Sequence, residues 1–262
     1  MTRVESRAPV RRPPRRLAVS AFERYVRSQF EKHFAAVRMA PPPANEIVWD
    51  SSIPTLVIAN HTNWWDGFLA FLVARELKLT GYVLMDAVQL ARYPAFRLLG
   101  AIPLSRESRR AMYRDLLAAG SCLAPGSALW VFPQSGRRPP AERPVGLTRG
   151  CAALAMAHGA PLRICSVAFR YVHLSEQLPE AFARIGRGWL LDPSHYADRR
   201  ALMPLFEADL LSVIDALDAD LRTERVSMFR TVVAGRLSIN KRMDRVRHAV
   251  GLLRGRFEPR NG

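Results

Sequence analysis

A histidine and an aspartate five residues apart are the first residues in this sequence whose types and spacing could do chemistry. The apolar run 56–59 ends just before the segment Asn-His-Thr-Asn-Trp-Trp-Asp-Gly, which contains His61 and Asp66. In one continuous helix, residues five apart are separated by about 140°, so the two side chains would not meet. Across a strand-to-helix turn they can meet, and the carboxylate then orients the imidazole as a general base. The alternative is a helix-capping aspartate beside an unrelated histidine.

Two arginines follow, each just after a β-like run. Arg106 follows Gly-Ala-Ile-Pro-Leu-Ser, and Arg137 follows Val-Phe-Pro-Gln-Ser-Gly. If both runs are parallel strands, the arginines reach the same sheet edge, where two guanidinium groups can bind a phosphate through paired hydrogen bonds. Each arginine taken alone is equally typical of a surface loop. The order of the three segments along the chain favours one site for an anionic substrate.

Together these segments resemble the glycerolipid acyltransferase superfamily, which includes the glycerol-3-phosphate and lysophosphatidic acid acyltransferases. The family's His-x-x-x-x-Asp block matches His61 and Asp66, and its second block matches residues 100–106. The third block, usually Phe-Pro-Glu-Gly-Thr-Arg, is similar to residues 132–137. The fourth block, a strand entered through proline, is similar to residues 160–165.

The resemblance, which spans roughly residues 50–170, implies catalytic and substrate-binding roles. It makes His61 the base and Asp66 its orienting partner. It also implies the substrate-binding residues Arg106, Gln134, Gly136, Arg137 and Pro161. Two positions depart from the family pattern, because Gln134 stands where glutamate is usual and Cys165 stands where a second proline is common. A neutral glutamine accepts a hydrogen bond without bringing charge, so the preferred acceptor can differ.

The reaction that the resemblance implies is transfer of a fatty acyl group from acyl-CoA or acyl carrier protein to the hydroxyl of a glycerolipid. The expected acceptor is a lysophospholipid such as 1-acylglycerol-3-phosphate. The thioester is a co-substrate, and we expect no cofactor and no metal, since the six histidines lack ligand spacing. Two alternatives stay open: acylation of a lipid hydroxyl outside the glycerophosphates, and a non-catalytic protein that binds lipid or nucleic acid.

Charge and composition indicate where such a protein would work. The 262 residues are 49% hydrophobic and 24% charged, which is typical of a globular protein. The net charge of +16 is concentrated at the two ends: residues 1–38 carry ten basic and three acidic side chains, and residues 222–262 carry eleven and three. An anionic membrane surface fits basic ends around a nearly neutral middle. Nucleic acid is the less favoured partner because it explains the ends but not the three segments.

Cysteine content and hydropathy complete the expectation about location. Three cysteines without metal-binding or paired spacing favour a reducing compartment. The sequence contains no run of about 18 apolar residues and no pattern of a secretory signal. We therefore expect a cytoplasmic protein that is peripheral at the inner face of the membrane.

Short β-like runs alternate with helix-like stretches through the middle of the sequence. The β-like runs are residues 56–59, 82–85, 128–132 and 164–169. The helix-like stretches are residues 67–78, 87–98, 107–119, 146–158 and 201–221. This alternation predicts a mixed α/β fold with a largely parallel sheet flanked by helices. A fold like that of the glycerol-3-phosphate acyltransferases is what the resemblance implies.

The predicted organisation has four parts. Residues 1–16 are rich in arginine and proline and predict a flexible basic tail. Apolar residues at steps of three and four predict a basic amphipathic helix over residues 17–39, which either lies in a membrane interface or packs on its own domain. Residues 44–221 form the predicted acyltransferase domain, and residues 222–262 a basic helical C-terminal segment.

Overall fold

The computed structural model describes residues 13–41, 52–196, 198–223, 225–236 and 243. Its α-helices are α1 (Arg16–His33), α2 (Asp66–Glu76), α3 (Ala87–Arg92), α4 (Arg109–Gly120), α5 (Gly150–His158) and α6 (Arg199–Arg222). Its strands are β1 (Ala36–Met39), β2 (Thr55–Ala59), β3 (Thr80–Asp86), β4 (Ala101–Leu104), β5 (Ser127–Val131), β6 (Leu162–Val172), β7 (Glu180–Ile185), β8 (Trp189–Leu191) and β9 (Arg230–Ala234). Short 3₁₀ helices span Pro94–Leu99, Pro193–His195 and Arg225–Met228.

The described strands form one sheet in the order β4-β3-β5-β2-β6-β7-β1-β9, with β8 paired to β6. The five strands from β4 to β6 are parallel to one another, whereas β7 and β8 run antiparallel to β6. The carboxyl ends of these five strands therefore meet at one edge, where α/β proteins build their sites. The predicted mixed α/β fold with a largely parallel sheet is confirmed.

Helices cover both faces of the sheet because its central strands are apolar on both sides. Leu56 and Ile58 of β2 belong to one core cluster, with buried side chains from α4, α5 and α6. Val57 and Ala59, which alternate with them, belong to a second cluster with α1 and α2. All five residues of β2 are buried, as expected for a strand inside a parallel sheet.

The predicted helix over residues 17–39 is wrong at its carboxyl end. Helix α1 stops at His33, and residues 36–39 form β1, which pairs with β7 and β9. The steps of three and four continue past the true helix end by coincidence, because strand pairing with distant residues leaves no local trace. The side chains of Val26 and Phe30 in α1 are buried in the second core cluster. The helix therefore packs on its own domain.

The ends of the chain also differ from the prediction. Within the predicted helical segment 222–262, residues 230–234 are strand β9, and the described remainder includes a short 3₁₀ helix. Of the predicted flexible tail 1–16, residues 1–12 lie outside the described residues, while the Arg15 N–H donates to the Leu98 carbonyl at 2.9 Å. The folded unit thus extends beyond the predicted bounds 44–221, since β1 and β9 belong to the same sheet.

Candidate active site

The turn between β2 and α2 brings His61 against Asp66. Asp66 is the first residue of α2, and its Oδ2 lies 2.8 Å from His61 Nδ1. The same oxygen accepts backbone N–H bonds from Thr62 at 2.7 Å and Asn63 at 2.8 Å. Asp66 therefore closes the turn and holds the imidazole at once. The pair predicted from the spacing is present, and the histidine is not an unrelated neighbour.

Asp66 is fully buried, and both of its carboxylate oxygens are hydrogen-bonded. The Tyr171 hydroxyl donates to Oδ1 at 2.8 Å, opposite the turn that binds Oδ2. Burial raises the pKa of Tyr171 well above its ordinary value, and the charge of Asp66 raises it further. The tyrosine consequently remains protonated and remains a donor. The Thr62 and Asn63 N–H groups and the Tyr171 hydroxyl hydrogen-bond the buried carboxylate, and none of them is a cation. The carboxylate can therefore stabilise a positive charge on the His61 ring.

The second imidazole nitrogen of His61 points away from the buried pair. The side chain is 28% exposed, and Nε2 has no hydrogen-bond partner among the residues that the structure describes. The ring of Phe132 packs beside the imidazole, with ring centroids 4.9 Å apart. With Nδ1 bonded to a carboxylate, Nε2 is the atom that can accept a proton from a hydroxyl.

The backbone of His61 is fixed by the loop that follows β5. Its carbonyl accepts the Arg138 N–H at 2.8 Å, and its N–H donates to Gln134 Oε1 at 2.5 Å. The amide nitrogen of Gln134 donates in turn to the Val145 carbonyl at 3.0 Å. Gln134 is 5% exposed and both of its polar atoms are used. The amide of Gln134 therefore joins the loop after β5 to the His61 turn, and its binding of substrate stays a prediction.

Replacing Gln134 by glutamate is expected to destabilise the protein at neutral pH. A glutamate oxygen can still accept the His61 N–H, but an ionised carboxylate cannot donate to the Val145 carbonyl, and two buried oxygens would face each other. We expect the free energy of unfolding to fall by about 2 kcal/mol, the scale of a buried polar group left unsatisfied. Denaturant unfolding at neutral and acidic pH measures it.

The glutamate variant should recover stability as the pH falls. Its carboxyl pKa is raised in the folded state, so protonation favours folding and supplies the donor that Val145 needs. The matched control is Gln177→Glu, because Gln177 is exposed in the loop before β7. Equal stability of the two variants at both pH values would contradict the role given to Gln134.

Strand β6 is hydrogen-bonded to the two segments that form the site, the end of β2 and the loop after β5. The side chain of Asn60 donates to the Phe169 carbonyl at 3.2 Å and accepts the Phe169 N–H at 2.7 Å. The buried guanidinium of Arg170 donates to the same carbonyl at 3.0 Å and to the Pro140 carbonyl of the post-β5 loop at 3.3 Å. Asp218 of α6 accepts from Arg170 at 2.7 and 2.9 Å. The end of β2 and the loop after β5 are therefore held to one strand.

The two predicted arginines lie at the same edge of the sheet. Arg106 follows β4, and its guanidinium contacts Asp86 at the end of β3 at 3.1 Å and donates to the Ser135 carbonyl at 2.7 Å. This bond places Arg106 beside the loop that also holds His61. Gly136 and Arg137 are the next residues of that loop and are exposed, and Arg137 has no hydrogen-bond partner among the described residues. One cation is thus fixed and the other is free to bind an anion.

Pro161, by contrast, does not lie in this site. It directly precedes β6, and Arg163 is in register with Thr55, the first residue of β2. His61 follows the other end of β2, so Pro161 lies at the opposite edge of the sheet, eight strand residues or about 26 Å away at 3.3 Å per residue. The structure does not bring Pro161 to the His61 turn, because the strand that follows it runs the full depth of the sheet, and its binding of substrate stays a prediction.

A family model described as Acyltransferase matches residues 41–170, about half of the chain. The match includes the His61 turn, both arginines and the loop after β5. The chain belongs to the acyltransferase family. No match to a curated protein was found. In this acyltransferase, no described helix is long and apolar enough to cross a membrane. The described residues also contain no group of three or more His, Cys, Asp or Glu side chains placed to hold a metal.

Sequence reasoning missed three side chains that position the acyltransferase site. Asp86 had a local signal, because an aspartate between a strand and a helix is a typical N-cap, and its carboxylate caps α3 as well as contacting Arg106. Tyr171 and Arg170 had none. They lie more than 100 residues from the His61 turn, and only the pairing of β2 with β6 brings them under it.

Proposed function

We propose that this acyltransferase moves a fatty acyl group from a thioester, acyl-CoA or acyl carrier protein, to the hydroxyl of a lysophospholipid such as 1-acylglycerol-3-phosphate. The observation that carries the proposal is the 2.8 Å contact between His61 Nδ1 and the buried Asp66, with Nε2 left open. Acyl transfer to a hydroxyl needs one base of this kind and no nucleophilic side chain.

In the proposed reaction, Nε2 of His61 removes the proton of the acceptor hydroxyl as its oxygen attacks the thioester carbonyl. The ionised Asp66 stabilises the imidazolium. When the tetrahedral intermediate collapses, the carbon–sulfur bond breaks, and the imidazolium returns its proton to the departing thiolate. The products are an oxygen ester and a free thiol, and His61 is neutral again. Backbone N–H groups near Gly67, at the start of α2, or near Gly136 are suitable donors for the oxyanion.

The arginines support an acceptor that carries a phosphate. Arg106 is held by Asp86 and by the Ser135 carbonyl, whereas Arg137 is exposed one residue beyond Gly136. A phosphate placed between the loop and β4 would receive charge-assisted hydrogen bonds from both guanidinium groups. Gln134 adds no charge at this point, so anion binding rests on the arginines.

We further propose that the enzyme works as a peripheral protein at the inner face of the membrane, where lysophospholipids and cytoplasmic acyl thioesters meet. The excess of basic residues at both ends of the chain supports binding to anionic lipid. This places the protein in phospholipid biosynthesis. The alternatives predict different outcomes in an assay: a neutral acceptor, or lipid binding or salt-sensitive DNA binding with no product.

A mass-spectrometric assay tests the proposal directly. Wild type and His61→Ala are incubated separately with acyl-CoA or acyl carrier protein and with lysophospholipids, glycerol-3-phosphate or neutral hydroxyl lipids. We expect a new phospholipid from wild type alone, with the mass of acceptor plus acyl group. Product from a neutral hydroxyl lipid only would replace the proposed acceptor, and folded wild type without product for any pair would contradict acyl transfer to these acceptors.

Replacing Arg137 by alanine is expected to weaken phosphate recognition specifically. Because Arg137 makes no bond within the described protein, its loss leaves the loop intact, unlike that of Arg106. A charge-assisted hydrogen bond is worth roughly 1.5–3 kcal/mol, so KM for a phosphate-bearing acceptor should rise about 10-fold or more. Steady-state kinetics measures it, with Arg187→Ala as the control because Arg187 is exposed beyond β7, at the opposite edge. An equal loss with an uncharged acceptor would contradict a phosphate-binding role.

A further inference from the structure

One surface of the protein is covered by aromatic side chains that contact one another. It runs from α1 across the start of α2 to the 3₁₀ helix before β4. Its ring centroids lie between 5.1 and 6.2 Å apart in successive contacts. We name it the aromatic band, and it consists of Phe22, Tyr25, Trp64, Phe68, Tyr93 and Phe96.

Three of the six band members are exposed to solvent although they are large and mainly apolar, and the other three are half-buried. Trp64 is 61% exposed, Tyr25 50% and Tyr93 46%. Leu17, in the first turn of α1, is 88% exposed, and Leu98, two residues after Phe96, is 40% exposed. The Arg15 N–H donates to the Leu98 carbonyl, which brings the start of α1 to the 3₁₀ helix that carries Phe96. Contiguous exposed apolar groups of this kind mark an interaction surface.

Arginines border the aromatic band, and they indicate what binds it. Arg24 precedes Tyr25 and is exposed, and the guanidinium carbon of Arg92 lies 5.4 Å from the centre of the Tyr93 ring. Glu23 is the acidic residue of α1 closest to Tyr25 in the sequence. Its negative charge is neutralised by ion pairs with Arg27 and Arg75. Tryptophan and tyrosine rings bordered by exposed cations are the side chains that lie at the headgroup level of an anionic bilayer.

The active site and the aromatic band share one turn. Trp64 lies between His61 and Asp66, so the segment that carries the base also carries the most exposed ring of the band. We infer that the aromatic band docks the protein on an anionic phospholipid bilayer, with Trp64 at headgroup depth and the His61 turn facing the lipid. This placement also lets a lysophospholipid hydroxyl reach His61 without leaving the membrane surface, an inference that rests on the proposed function. Val26 and Phe30 of α1 are buried in the core and take no part in docking.

Vesicle binding tests the docking surface without using catalysis. Wild type is sedimented with phosphatidylcholine vesicles with and without phosphatidylglycerol and compared with Leu17→Ser/Leu98→Ser. The matched control is Leu190→Ser/Leu205→Ser: Leu190 is 57% exposed on β8, and Leu205 is 40% exposed on α6, which covers the other face of the sheet. We expect the first pair to weaken binding to the anionic vesicles about 10-fold, since two leucines no longer enter the lipid. The control pair should bind as wild type does.

The fluorescence of Trp64 gives an independent readout of depth. Vesicles that carry brominated acyl chains should quench the fluorescence of wild type, and Trp64→Phe should lose most of that quenching. Equal binding by wild type and the Leu17/Leu98 pair would overturn the proposal, as would equal losses by both pairs or quenching that does not depend on Trp64. Binding that survives these substitutions but disappears in salt would assign docking to the arginines alone, which also overturns it.

Turnover is measured separately on a short-chain lysophospholipid dispersed as monomers. If the Leu17/Leu98 pair loses vesicle binding and still acylates the monomeric acceptor, both the docking surface and the proposed function are supported. If wild type binds vesicles through the band and acylates nothing, the proposed function fails and the docking surface stands.

Discussion

Replacing His61 by alanine is expected to lower kcat/KM by roughly 10²–10⁴-fold, the range that a positioned general base contributes. No other described side chain takes over its part, because Asp66 is fully buried and cannot reach a substrate. The protein should stay folded: the imidazole is 28% exposed, and Asp66 keeps its bonds from Thr62, Asn63 and Tyr171. Single-turnover rates of ester formation together with thermal unfolding separate the two effects.

The chain offers a matched control for this experiment in a second histidine–aspartate pair. His195 Nε2 lies 3.8 Å from Asp192 Oδ2, but the imidazole is 77% exposed, and the pair lies in a short 3₁₀ helix after β8. His195→Ala should therefore leave the rate unchanged. Wild-type rates from a folded His61→Ala protein would remove His61 from the mechanism.

The fold could be predicted where the local pattern of apolar residues identifies a strand or a helix. The apolar run of β2 and the helix-like stretches after it lie where the structure has them, because burial on both faces of a parallel sheet gives continuous apolar strands. Strands β1 and β9 are four and five residues long and lie at or beside one edge of the sheet. Their pairing depends on distant partners, so the sequence around them indicates a helix as readily as a strand.

The candidate site shows the same division between local and non-local information. His61 and Asp66 could be paired from the sequence because one turn contains both. Arg106 and Arg137 could be placed at one edge because parallel strands end together. The role of Gln134 could not be predicted, because it depends on the Val145 carbonyl across a loop and on the backbone N–H of His61.

Pro161 shows that a segment can match a family block without lying beside the His61 turn. It stands where the fourth family block begins, and β6 does begin there. Residues at the carboxyl end of that strand, near Phe169 and Tyr171, are the ones that reach the site. The direction of a strand decides which of its ends lies beside the His61 turn, and Pro161 stands at the other end of β6.

Replacing Asp66 by asparagine is expected to lower kcat/KM by roughly 10²–10⁴-fold while changing the fold little. The amide oxygen can accept the Thr62 and Asn63 N–H bonds, and the amide nitrogen can donate to the Tyr171 oxygen, which then acts as acceptor. What disappears is the negative charge beside Nδ1 of His61. An imidazolium without that charge is less stable, so the barrier to removing the acceptor proton rises, and steady-state kinetics at one pH measures the loss. Asp192→Asn, in the exposed pair, should leave kcat/KM unchanged.

The double variant His61→Ala/Asp66→Asn decides whether Asp66 acts through the histidine. If it does, removing the carboxylate after the imidazole is already gone has nothing left to affect, and the double variant should be no slower than His61→Ala within about twofold. If the two losses multiply instead, Asp66 has an independent role, such as fixing the start of α2. A lowered unfolding temperature of Asp66→Asn would accompany that result. The rates of the four proteins, measured with one acceptor and one thioester, therefore distinguish a base with its orienting carboxylate from two separate contributions.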